Sequence, residues 1–305
     1  MRCLVTGAYG FIGREVVSAL LRHGHQVVAA GRDVELGRRL LPDLDWIACD
    51  FNRDLTPQAW QPRLAGIDAV VNAVGILQAT AVDDETRIHV TAVLALATAA
   101  AASDVRFVHI SAMSADDGVG TGYARSKSAA DRLLADVAGD WLIVKPSLVI
   151  GRGSHGGTSL LRAAAALPYF TPVAAPGTQP FQPISLDDLA DGIVALAGRR
   201  QPSRTTLVAA GPQVVTLSDL AARYRRWLGF APVPVVAIPA WLLRLVAGFG
   251  DIAGYFGSPT ALRSTSFAQM SAMPIADPGP YSEASGVPPR PLSQVFAAMP
   301  RRVVR

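Results

Sequence analysis

The first thirteen residues, MRCLVTGAYGFIG, constrain this chain more than any other stretch. A short apolar run, Cys3-Leu4-Val5, has the length of the inner part of a buried strand. It breaks at Thr6-Gly7, and glycines recur at 7, 10 and 13. Val16, Val17, Leu20 and Leu21 then follow at helical spacing, and Gly24 is a stop signal. The glycines therefore fall on a strand–turn–helix joint. There Gly7 allows a tight turn, Gly10 lets the backbone approach a pyrophosphate, and Gly13 lets the helix pack on the strand. The helix N-terminus faces the anion, which places Tyr9, Phe11 and Ile12 with the three glycines among the expected ligand-binding residues.

A second motif is Tyr123-Ala-Arg-Ser-Lys127, twelve residues after a fifth strand expected over 106–111. On a helix, positions i and i+4 project to the same side. A lysine so placed favours the phenolate and lowers the tyrosine pKa. Its ammonium can also hydrogen-bond a ribose. The tyrosine then serves as general acid when a carbonyl is reduced, or as base when an alcohol is oxidised. Lys127 and Lys145 are the only lysines; every other basic residue is arginine.

Between the two motifs, strands are expected over 25–30, 44–49 and 69–72, and a long alanine-rich helix over 84–102. The second strand ends in Gly31-Arg32-Asp33. In a dinucleotide-binding fold, an acidic residue there selects NAD and an arginine accommodates the 2′-phosphate of NADP. Arg32, backed by Arg38 and Arg39, points to NADP; Asp33 keeps NAD open as the alternative.

The words TGAYGFIG and YARSK resemble the short-chain dehydrogenase/reductase superfamily, in particular its extended and atypical branches. The likeness runs over roughly residues 1–228. It implies that Asp50 and Phe51 contact the adenine and that Ala73, Val74 and Gly75 let the backbone pass close to the cofactor. It further implies that Pro146, Ser147 and Val149 border the nicotinamide, with Lys145 replacing the usual arginine. One part of the pattern is broken. The resembled enzymes carry a serine just after the fifth strand, and here the run reads Ser111-Ala112-Met113-Ser114. By spacing, the catalytic position falls at Ala112 or Met113, so Ser111 or Ser114 would have to assist. The words HISAMSADD and GYARSK look most like atypical members related to the nucleotide-binding accessory subunit of respiratory complex I. That kinship implies tight NADPH binding without required turnover.

Composition narrows the alternatives. The chain has 305 residues, half of them apolar and 17% charged, which suits one large α/β domain with a small lobe. The net charge of +4 is scattered, without a nucleic-acid stripe. The five histidines lack metal-ligand spacing, so no metal is expected. Cys3 and Cys49 are expected on strands two spacings apart, about 9.5 Å, too far for a disulfide. A reduced, cytoplasmic setting is expected, and with a strand expected from the first residues no signal peptide is expected. The uncharged run between Arg226 and Arg244 is interrupted by Pro232, Pro234 and Pro239, which argues against a transmembrane helix.

The expected architecture is a Rossmann-type doubly wound parallel sheet over 1–150, with an interwoven substrate lobe and extended tail over 151–305. Helices are expected over 159–166, 189–197 (capped by Asp187 or Asp188) and 218–228 (capped by a serine), and a strand over 205–209. The apolar stretch 241–256 has two readings: a membrane-surface or partner-binding helix, and a helix that closes the substrate pocket. Gly248, Gly250 and Gly254 favour the second. The alanine-rich helix could also support oligomer contacts. Two functions remain. One is an oxidoreductase or epimerase-like enzyme acting on a small molecule through Tyr123 and Lys127, with Ser111 assisting. The other is a non-catalytic NADP(H)-binding scaffold or redox sensor.

Overall fold

The first strand alternates its side chains between two cores. Cys3 and Val5 enter one, Leu4 the other, as a strand covered on both faces requires. The structure, a computed structural model, describes residues 1–115, 120–154, 156–199, 201–255, 263–269 and 274–300. Phe256, at the end of the apolar stretch 241–256, and residues 301–305 of the expected tail lie outside the described residues.

The strands in chain order are β1 (Arg2–Thr6), β2 (Gln26–Gly31), β3 (Asp45–Ala48), β4 (Ala69–Asn72), β5 (Arg106–Ile110) and β6 (Trp141–Pro146). They are followed by β7 (Val149–Ile150), β8 (Thr171–Ala174), β9 (Pro180–Phe181), β10 (Ile184–Ser185), β11 (Thr205–Ala209), β12 (Val215–Thr216) and β13 (Val235–Ile238). A seven-stranded parallel sheet runs β3-β2-β1-β4-β5-β6-β11. The strand order reverses between β1 and β4, which opens a crevice at their carboxyl ends, the usual ligand position in such sheets.

Among the described residues the α-helices are α1 (Phe11–Arg22), α2 (Val34–Leu40), α3 (Pro57–Trp60), α4 (Ala92–Ala102), α5 (Gly122–Ala135), α6 (Gly157–Ala165), α7 (Leu186–Ala197), α8 (Leu217–Trp227), α9 (Ala240–Tyr255), α10 (Ser264–Gln269), α11 (Gly279–Ser285) and α12 (Leu292–Ala298). Helices α1 and α7 pack together on one face of the sheet. Helix α4, Trp60 of α3 and Leu134 of α5 cover the other. A third core, built from Leu161, Phe181, Leu220, Tyr224, Trp227 and Leu292 among others, holds the lobe together. Strand β11 returns to the main sheet, so the lobe is woven into the domain.

Several expected boundaries shift for local reasons. The helix over 84–102 is interrupted by a π-turn over Arg87–Thr91 before α4 begins. Helix α7 starts at Leu186, and its cap is Ser185, whose side chain accepts from the amide of Asp187. Neither Asp187 nor Asp188 caps it; buried Asp188 instead pairs with Arg290 at 2.6 Å. Helix α8 is capped by Thr216 in a reciprocal box with Asp219, while Ser218 donates to the carbonyl of Gly177. The tail is not extended throughout. It folds into α11 and α12, and Tyr281 is buried, its hydroxyl donating to Leu189 O at 3.0 Å.

Candidate functional site

The glycine joint sits at the crevice between β1 and β4. Gly7 has φ +71°, and a Cβ there would stand 2.9 Å from the carbonyl oxygen of Ala73. Glycine is therefore required twice, by backbone conformation and by the neighbouring chain. A Cβ on Gly13 would lie 2.1 Å from the Gly7 carbonyl oxygen, so Gly13 lets α1 press against the turn. Gly10 caps α1 without a side-chain hydrogen bond, and the first turn carries no acidic residue. Its leading amides thus remain available to an anion.

One cleft runs from this joint along the strand ends. It is lined by Gly7, Tyr9, Gly10, Gly31, Arg32, Asp50, Phe51, Asn52, Ala73, Val74, Gly75, Ile76 and Asp83. Its floor is rigid. Asn72 Oδ1 accepts from Thr6 Oγ1 at 2.7 Å and from the Val74 amide at 3.2 Å, while its Nδ2 donates to His109 Nδ1 at 3.0 Å. At the β2 end, Asp33 caps α2, accepting from the Leu36 amide, and its own amide donates to Tyr9 Oη. Arg32 reaches across the cleft mouth to Asp83, 2.5 Å away.

Beyond Gly75 lies the Tyr–Lys helix. Thr121 caps α5 by accepting from the Ala124 amide. Tyr123 is half-buried, and its ring meets that of His89 edge-on, centroids 5.6 Å apart. Lys127 is buried, and its Nζ donates to Ile110 O at 2.9 Å. That Nζ lies 3.5 Å from where a Cβ on Gly75 would stand. Burial lowers the Lys127 pKa to about 8, against the raising influence of Asp131. Burial, and then the charge of Asp131, pushes Tyr123 up to about 12. The expected lowering of the tyrosine pKa is therefore not met: burial and the Asp131 carboxylate both raise it.

His89 ties this helix to the cleft. Its Nε2 accepts from the Ile76 amide at 3.0 Å, so the ring proton sits on Nδ1, facing Ser126 Oγ at 2.7 Å. Ser126 in turn donates to Tyr123 O. Burial, with Lys127 second, drives the His89 pKa down to about 2, so the ring is neutral and structural.

The sequence signature described as the NAD dependent epimerase/dehydratase family matches residues 3–209. The chain belongs to that family. Among its relatives, a ceramide reductase from Caulobacter vibrioides is 30% identical over 166 residues, covering 54% of this chain and 51% of that protein. The mitochondrial NADH dehydrogenase [ubiquinone] 1 alpha subcomplex subunit 9 of Arabidopsis thaliana is 26% identical over 252 residues, covering 75% and 60%. The chain thus spans only part of the length of these curated relatives. Among solved structures, a UDP-glucose 4-epimerase of Thermotoga maritima superposes with a TM-score of 0.69 at 15% identity, covering 97% and 96% of the two chains. MoeE5 in complex with UDP-glucose and NAD gives 0.70 at 19%, covering 98% and 97%. These likenesses show the same fold.

The family's cofactor is a nicotinamide dinucleotide, and the cleft suits one: a side-chain-free helix N-terminus beside strand ends where a Cβ would not fit. Of the sequence-derived cofactor residues, Gly7, Tyr9, Gly10, Arg32, Asp50, Phe51, Ala73, Val74 and Gly75 line this single cleft. Gly13 is buried behind it, Ile12 packs into the core, and Phe11 lies against Gly153. Pro146 ends β6, Ser147 is turned away to donate to Gln182 O at 2.6 Å, and Val149 packs into the core. Ser111 is buried and donates to Asp131 Oδ2 at 2.8 Å; Asp131 also pairs with Lys145 at 3.1 Å. Its hydroxyl is engaged with that carboxylate in this structure. Asn52, Asp83 and His89 were not legible as site residues.

Among the described residues, no cluster of three or more potential metal ligands occurs, and no helix is long and apolar enough to cross a membrane. Helix α9 exposes most of its apolar side chains instead of burying them: Trp241 is 62% and Phe249 77% exposed.

Proposed function

We propose that this chain is an NADP(H)-dependent oxidoreductase that reduces a carbonyl group, with Tyr123 as proton donor. The observation that carries the reading is Tyr123 and Lys127 one helical turn apart, with the lysine ammonium beside Gly75, which itself lines the dinucleotide cleft. A bound dinucleotide would supply hydride to the carbonyl carbon. Tyr123 gives its phenolic proton to the carbonyl oxygen as negative charge develops there. A pKa pushed up to about 12 keeps that proton in place at neutral pH, which favours reduction over oxidation. Lys127, still charged below about 8, would hold the ribose and orient the phenol. Arg32 at the end of β2 supports NADP over NAD, with the Asp33 side chain engaged as the α2 cap.

A second reading, a dinucleotide-binding scaffold or sensor, is favoured by the serine position. By spacing, Ala112 or Met113 falls where a donor is expected, and Ser111 donates to Asp131. Loss of one donor to a developing oxyanion costs about 3 kcal/mol, on the order of a hundredfold in rate. The test is NADPH consumption against aldehydes, ketones and quinones. Tyr123→Phe is expected to lower the rate at least about a hundredfold with NADPH affinity unchanged. Equal rates for both proteins on every compound would instead establish the scaffold.

We also infer that α9 rests on a membrane surface. Trp241, Leu245, Phe249 and Ile252 share one exposed face, and a face of that size on a lone chain marks an interaction surface. The net charge of +4 suits anionic lipid.

A further inference from the structure

A second cavity lies outside the dinucleotide cleft, between α6, β8, β13, α9 and α10. It encloses about 290 Å³ and is lined by Leu160, Ala164, Val173, Ile238, Leu243 and Phe267 among others, every one of them apolar. A nucleoside diphosphate or sugar placed there would leave its polar groups without partners, a heavy penalty away from water. The volume lies at the lower edge of the range for small-molecule sites, about 300–1,000 Å³, which suits one narrow chain better than a bulky ligand.

Its position links it to both surfaces already described. Helix α6 begins beside the loop that leaves the cleft: a Cβ on Gly156 would stand 2.6 Å from Leu77 Cδ1. Helix α10 is tied to the same loop by Thr265 Oγ1, 3.3 Å from Gln78 Oε1. That loop carries Gly75 and Ile76, which line the dinucleotide cleft. On the opposite side the wall is α9, which turns Leu243 and Val246 to the cavity while Trp241, Leu245, Phe249 and Ile252 face outward.

We propose that this cavity between α6, β8 and α9 binds the hydrocarbon tail of an amphiphilic substrate, whose carbonyl-bearing head reaches past Leu77 toward Tyr123. The cavity is apolar because its occupant is a chain of methylenes. The apolar outer face of α9 adjoins it because such a substrate resides in a bilayer. The assignment of the tail to a substrate rests on the oxidoreductase reading; the tail site itself does not.

The test uses the whole protein and 11-(dansylamino)undecanoic acid, a fluorescent fatty acid, without nucleotide. Saturable binding is expected, displaced by oleate. Ala164→Trp fills the cavity and Leu160→Glu places a charge in it; each is expected to weaken the probe at least about tenfold, with NADPH affinity unchanged. A Trp241→Ser/Phe249→Ser protein, altered only on the outer face, is expected to keep it. As a measurement free of substitutions, a fatty acid with a terminal diazirine is expected to label peptides of Gly157–Ala165. The proposal is overturned if wild type binds no probe, if the cavity variants bind it as wild type does, or if labelling is confined to the outer face of α9. NADPH-dependent reduction of decanal over butanal, lost in Ala164→Trp, would tie the tail to the substrate. Tail binding without any turnover would keep the site and overturn the oxidoreductase reading.

Discussion

Arg32 and Asp83 close the mouth of the dinucleotide cleft with a contact of 2.5 Å, although 51 positions separate them in the chain. Asp83 also accepts from Asn52 Nδ2 at 2.9 Å. The carboxylate thus occupies the cation that a 2′-phosphate would need. Removing its charge should favour NADPH. Asp83→Asn is expected to tighten NADPH about tenfold relative to NADH, the effect of one charge-assisted hydrogen bond. Arg32→Asp is expected to reverse the preference. Calorimetric titration of both nucleotides decides it, and tighter NADH binding by the unaltered protein would sink the NADP assignment.

As the proposed ribose-holding group, Lys127 is expected to make dinucleotide binding depend on pH. Its pKa of about 8 means that the ammonium is present below that pH and lost above it. Affinity for NADPH is expected to fall as pH rises from 7 to 9, and Lys127→Met to bind weakly with no such fall. Stability runs the other way. Between about 8 and 10.5 the unfolded chain holds a proton that folded Lys127 has released, so this residue's contribution grows more favourable with rising pH. Urea denaturation of wild type against Lys127→Met at pH 7 and 10 is expected to show the variant's advantage shrinking.

The packing of α1 on the glycine turn has its own test. The nearest obstacle to a Cβ at position 13 is backbone, the Gly7 carbonyl at 2.1 Å, so no rotamer change relieves it. Gly13→Ala is expected to destabilise the fold by about 1–3 kcal/mol, the usual range for overpacking, and to weaken both dinucleotides. Gly24→Ala, where a Cβ meets nothing within 4 Å but φ is +74°, is expected to lose stability with dinucleotide affinity retained. Chemical denaturation and nucleotide titration on the same samples separate the two effects.

Liposome sedimentation tests the outer face of α9. The unaltered protein is expected to pellet with vesicles containing anionic lipid, and less with neutral ones. Trp241→Glu/Phe249→Glu is expected to stay in the supernatant while keeping NADPH affinity. Equal pelleting of both proteins would return α9 to the role of a pocket cover alone.

Local signals carried far in this chain. The glycine spacing at 7, 10 and 13 and the alternation in β1 follow from backbone conformation and near neighbours, so the joint was legible before any fold was known. The same holds for Tyr123 and Lys127, whose common side follows from helix geometry, and for Arg32 at the end of β2. What required the tertiary structure is every relationship set by the path of the chain. Asp83 meets Arg32 because the segment after β4 returns over the cleft. Ser111 meets Asp131 because α5 packs over the segment that follows β5. The caps Ser185 and Thr216 stand just before the expected ones because the strands that precede α7 and α8 decide where each helix begins. The direction of α9 is the clearest case. Its spacing of apolar residues specifies a face, but whether that face is buried depends on what else the chain brings to it, and among the described residues the outer side is left exposed.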